Sequence, residues 1–82
     1  MRLPKLKYND IIEIIWLDAT SDSGWRHEEK VKKDTPAACY SVGYYVTQDK
    51  TAIVISPDWN NAKERSSTVI PFGMIQKIRK LK

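Results

Sequence analysis

Cysteine is nearly absent from these 82 residues: Cys39 stands alone, so no disulfide closes within the chain. Small secreted domains usually depend on several such bridges, so the expectation is a protein of a reducing compartment, the cytoplasm. Histidine is as scarce, with His27 the single example. Neither residue sits in a metal-ligand or nucleophile motif. H-E-x-x-H, C-x-x-C, G-x-S-x-G and the phosphate-cradling glycine loop are all missing. The expectation is a protein that binds rather than catalyses, with no cofactor and no bound metal. Long apolar runs are lacking too, where roughly 20 residues are needed to span a bilayer. The basic start, Met1 to Lys7, is not followed by the apolar core of a secretory signal. No membrane partner is expected.

What is present is aromatic and mildly basic. Three Trp, four Tyr and one Phe help an otherwise thin core, because each ring buries roughly 150–250 Å² when enclosed. A chain of this size is one domain that buries only about 60–70% of its unfolded surface, which makes homo-oligomerisation a plausible supplement. Net charge is +4. Much of the excess lies near the ends, at Arg2, Lys5 and Lys7 and at Lys77, Arg79, Lys80 and Lys82. Terminal lysines serve solubility before they specify a partner, so nucleic acid is the less favoured ligand.

Residues 1–9 read as a flexible lead-in, and 10–82 as a single domain. Asp10 to Leu17 is β-branched, aromatic and apolar on both faces except at Glu13, the pattern of a central strand. Asp18 to Arg26 is rich in Ser, Asp and Gly and reads as a long loop. One or two helical turns fit between His27 and Lys33, ended by Pro36. Ala38 to Thr47 is a second strand, with Gly43 marking a bulge, a bend or a close backbone approach. Gln48 to Lys50 connects to a third strand, Thr51 to Ser56. Pro57 to Arg65 is a second polar loop, and Ser67 to Pro71 a fourth strand. Met74, Ile75, Ile78 and Leu81 have helical spacing, yet the preceding Pro71 and Gly73 favour a last short strand. Five short strands with a long first loop predict an all-β fold, a small five-stranded SH3-like barrel, since closure also protects strand edges.

Two loops carry the residues suited to a ligand. Asp18, Thr20, Asp22 and Glu29 approximate the spacing of a calcium loop, but the required glycine position is Ser23 and Gly24 comes one residue late. Asx-turns explain those residues better. Trp25 and Trp59 lie in polar surroundings, where a flat ring stacks on a base while neighbouring polar groups read its edge. Asp18, Ser23 and Asn60 supply such polar groups. Arg26 and Arg65 suit a phosphate, and Tyr44 adds a further ring on the second strand. Packing within the chain is the competing use of all the aromatic residues.

Trp16-Leu17-Asp18-Ala19, Gly24-Trp25, Ser41-Val42-Gly43-Tyr44, Ile53 to Ser56 and Ile70-Pro71 with Ile75 and Ile78 form a pattern across residues 12–78. It resembles a group of small uncharacterised bacteriophage and prophage accessory proteins with W-x-D-[AS], G-W, V-G-[WFY]-x-[VI] and I-P-x-x-x-I-x-x-I. The resemblance implies a phage-encoded anti-defence protein acting in the host cytoplasm. On that reading it sequesters a nucleotide second messenger of cyclic nucleotide or ADP-ribose type. A module that binds and inhibits a host protein is the alternative, and a nucleic-acid-binding barrel a third.

Overall fold

The computed structural model describes residues 3–81, so Arg2 and Lys82 of the terminal basic groups lie outside the described residues. Five strands form one antiparallel sheet: β1 (Ile11–Asp18), β2 (Ala37–Gln48), β3 (Ala52–Ser56), β4 (Thr68–Pro71) and β5 (Ile75–Lys80). Their order across the sheet is β4-β3-β2-β1-β5. The chain therefore meanders from β1 to β4. A 3-10 turn at Phe72–Met74 then carries it back to the far side of β1.

The all-β expectation is met, and each anticipated strand is present. Closure into a barrel is not seen among the described residues, where β4 and β5 remain the two edges of an open sheet. Strand lengths give the reason. β4 has four residues and pairs only with Ala52–Ile55, while β3 meets β2 only from Tyr44 onward. The β3–β4 pair thus covers one end of the long β1–β2 ladder and does not reach round to β5.

Alternation along the strands sends one set of side chains to a shared interior. Ile12, Ile14, Ile53, Ile55, Ile70, Ile75 and Ile78 are buried there, with Leu6, Trp16, Tyr45 and Phe72 packed around them. β-branched isoleucine suits this layer because its stiff side chain packs well on a pleated surface. Trp16 satisfies its indole N–H by donating to Ser41 Oγ at 2.9 Å.

Gly43 stands opposite Ile12 on the interior face. A Cβ there would sit 3.2 Å from the Ser56 carbonyl oxygen and 3.3 Å from the Ile55 side chain. Of the three readings of Gly43, the close approach is the one seen, and β3 makes it, while the register shift in β2 falls farther on, between Tyr45 and Thr47. In β5, Ile75 and Ile78 both face inward although they are three residues apart. A register shift against β1 between Ile15 and Trp16 absorbs the extra residue. Helical spacing in that segment is therefore the signature of a bulged strand.

The segment before β1 is tied to the sheet. Leu6 packs on the core. Asn9 N–H donates to the Tyr45 carbonyl at 2.8 Å, and Tyr45 N–H to the Asp10 carbonyl at 2.7 Å. In the long first loop the expected helix is a single turn, α1 (Glu28–Val31). His27 caps it, its Nδ1 accepting from Glu29 N–H at 3.2 Å. Val31 remains exposed, so local bonds hold this turn rather than packing.

Candidate binding surface

The eight residues singled out from sequence separate into two groups at opposite ends of the β1–β2 ladder. Tyr44 pairs with Ile11, and Asp18 with Ala37. Seven residue steps separate these ends, about 23 Å at 3.3 Å per residue. One small ligand does not span them within a single chain.

At the first end Trp59, Arg65 and Tyr44 form a cluster with Tyr8 and Asn9. The Arg65 guanidinium lies 4.3 Å from the Trp59 ring centre and 5.2 Å from that of Tyr8. Tyr44 meets Trp59 in a T-shaped contact at 4.7 Å, the geometry favoured by the ring quadrupoles. Arg65 Nη2 donates to Asn9 Oδ1, while its Nη1 is enclosed without an acceptor, its charge facing the aromatic rings. Asn60 builds the loop itself. Its Oδ1 accepts from Ala62 N–H at 2.9 Å and Glu64 N–H at 3.0 Å, and its Nδ2 donates to Glu64 Oε1 at 2.9 Å. These side chains are engaged with one another.

The second end is the loop between β1 and β2. Asp18, Ser23 and Trp25 are exposed there, and the Trp25 ring is fully solvated. Asp22 Oδ1 accepts from Gly24 N–H at 2.8 Å, the Asx-turn inferred from sequence. Arg26 is held by two carboxylates. Its Nη1 donates to Asp34 Oδ1 at 3.0 Å and its Nε lies 3.3 Å from Asp22 Oδ2. The hydrogen bond from Arg26 holds the Asp34 carboxyl below the usual carboxylate range. This arginine closes the loop on itself, and much of its charge is already matched.

Between the two ends lies a feature missed at the level of single residues. Alternation places Ile15, Leu17, Ala38, Tyr40 and Val42 on the face of the sheet away from the isoleucine core. Tyr40 and Val42 are 67% and 52% exposed. The patch is bounded by Lys77, opposite Ile15, and by Arg79, which donates from Nε to Glu13 Oε1 at 3.2 Å. A signal for it was present in the doubly apolar first strand. Such a strand expects cover on both faces, and here the outer one is only half covered, at Ile15 and Leu17.

Among the described residues no group of three or more His, Cys, Asp or Glu is placed to hold a metal ion. No described helix is long and apolar enough to cross a membrane. Comparison with protein-family models, curated proteins and solved structures finds no match to this chain.

Proposed function

We propose that this chain is a non-catalytic binding module that docks on a protein of the host cell and blocks it, in keeping with the phage accessory proteins it resembles. The observation that carries this reading is the apolar outer face, on which Ala38, Tyr40 and Val42 are exposed beside the half-buried Ile15 and Leu17, and beyond which the fully solvated Trp25 sits on the adjoining loop. An exposed apolar patch with a polar rim is the usual mark of a protein contact. Large rings such as Tyr40 and Trp25 are the side chains that anchor such contacts.

The nucleotide-sequestering reading draws on Trp25, whose ring is free to stack. It has less support from the arginines, since Arg26 is paired with Asp34 and Asp22, and Arg65 is packed between Trp59 and Tyr8.

The test is capture from host lysate on immobilised parent protein and on two variants, Tyr40→Ser and Trp25→Ala. One partner retained by the parent and lost by both variants supports the reading. A partner retained equally by all three rules out this face. A thermal shift with cyclic dinucleotides or ADP-ribose derivatives, abolished by Trp25→Ala, replaces the proposal with the sequestering function.

A further inference from the structure

We infer that the chain forms a two-fold homodimer by antiparallel pairing of β2 with β2 of a second copy, centred on Tyr40. The inference concerns the edge of the sheet and holds whatever occupies its apolar face.

β2 is paired with β1 along its length from Ala37 to Tyr44, but with β3 only from Tyr44 onward. The other side of residues 37–43 is open. Hydrogen bonds fix which backbone groups point there. Tyr45 N–H donates to the Asp10 carbonyl and Leu81 N–H to the Ile11 carbonyl. Even-numbered residues of β1 and odd-numbered residues of β2 therefore bond each other. The N–H and C=O groups of Ala38, Tyr40 and Val42 consequently point outward, and no described hydrogen bond engages them. Natural sheets guard such edges with charges, proline or a short strand. The run Ala37-Ala38-Cys39-Tyr40-Ser41-Val42-Gly43 contains no charged residue and no proline.

A second copy fits this edge in chemistry and in extent. Pairing about Tyr40 sets Tyr40 opposite its own symmetry mate and Ala38 opposite Val42, so every outward N–H meets an outward C=O. The same register brings the second copy's Pro36 opposite Tyr44, where Ser56 of β3 already occupies the edge. The incoming strand must leave the sheet there, and Pro36 immediately precedes β2.

Surface area points the same way. A folded monomer of 9.5 kDa exposes about 5,000 Å². This chain exposes 6461 Å², roughly 1,400 Å² more, against the about 800 Å² that each partner gives up in a standard interface. Its radius of gyration is 16.0 Å, where about 12 Å is usual for this length. The monomer is more open than its size requires.

The test is the mass of the isolated full chain by analytical ultracentrifugation from micromolar to near-millimolar concentration, joined to amide hydrogen exchange over the same range. The expected mass is twice 9.5 kDa. Amides of Ala38, Tyr40 and Val42 should slow by about tenfold or more as concentration rises. Ala38→Pro removes an outward N–H while leaving the β1 ladder intact, and Tyr40→Lys sets two like charges across the axis. Both should sediment as single chains with unchanged circular dichroism. A parent that stays at 9.5 kDa throughout overturns the inference. So does a dimer in which these three amides exchange as fast as those of the open loop between β1 and β2, a result that does not depend on how the variants fold.

Discussion

The guanidinium of Arg65 rests 4.3 Å from the centre of the Trp59 ring, and Trp59 in turn holds Tyr44 of β2 by its ring. One arginine thereby ties the β3–β4 loop to the sheet and, through Asn9, to the segment before β1. With both rings partly open to solvent, a contact of this kind contributes about 0.5–1 kcal/mol. Arg65→Ala should lower stability by roughly that amount, and Arg65→Lys should recover only part of it, because lysine lacks the planar fork that faces a ring and bonds Asn9 together. Denaturation midpoints of the three proteins decide this.

Gly43 leaves β3 no slack. Gly43→Val places methyl groups where the Ser56 carbonyl and the Ile55 side chain already stand. Overpacking of this kind costs about 1–3 kcal/mol, and the lost stability should be read in urea. A variant as stable as the parent would mean that β3 moves away freely.

Acid should loosen the turn between β2 and β3. Asp49 Oδ1 accepts from Thr51 Oγ1 at 2.8 Å and from the N–H groups of Thr51 and Ala52. These bonds, the Thr51 hydroxyl first, hold the carboxyl below its ordinary 3.8. A carboxylate with a depressed folded pKa stabilises above its unfolded value, and the benefit fades as pH falls through the lower folded value. Thermal melts at neutral pH and near pH 3 should therefore differ more for the parent than for Asp49→Asn, which keeps the Oδ1 acceptor without the charge.

Trp25 offers the opposite kind of test. Its ring touches little of its own chain, so Trp25→Ala should change stability by no more than about 0.5 kcal/mol. A larger loss in thermal denaturation would assign the ring a packing role that its exposure contradicts.

Much of the strand architecture was legible because alternation and turn chemistry act locally. Ile12, Ile14, Ile53 and Ile55 announce their face by period two. Ile75 and Ile78 do not, since the bulge opposite Ile15 and Trp16 is decided by a strand some sixty residues away. Openness of the sheet was illegible for the same reason, as the reach of β4 depends on where β3 parts from β2. Within the candidate site, Arg65 and Trp59 were identifiable as residue types. Their mutual engagement needed Tyr8 and Asn9, which no motif connects to the second loop. Arg26 misled in a similar way: Asp34, its main counter-ion, lies beyond α1.

The place of β5 beside β1 has a consequence for the order in which the molecule assembles. Ile14 meets Ser41 on one side and Ile78 on the other, so β1 acquires its second neighbour only once β5, which follows the other four strands in sequence, is in place. Until then the meander of four strands stands with the Ile11–Leu17 flank unsealed. Closing that flank spans most of the chain, and contacts so distant in sequence form slowly. The late docking of this six-residue strand, which adds Ile75 and Ile78 to the isoleucine layer, is the step expected to set the folding rate.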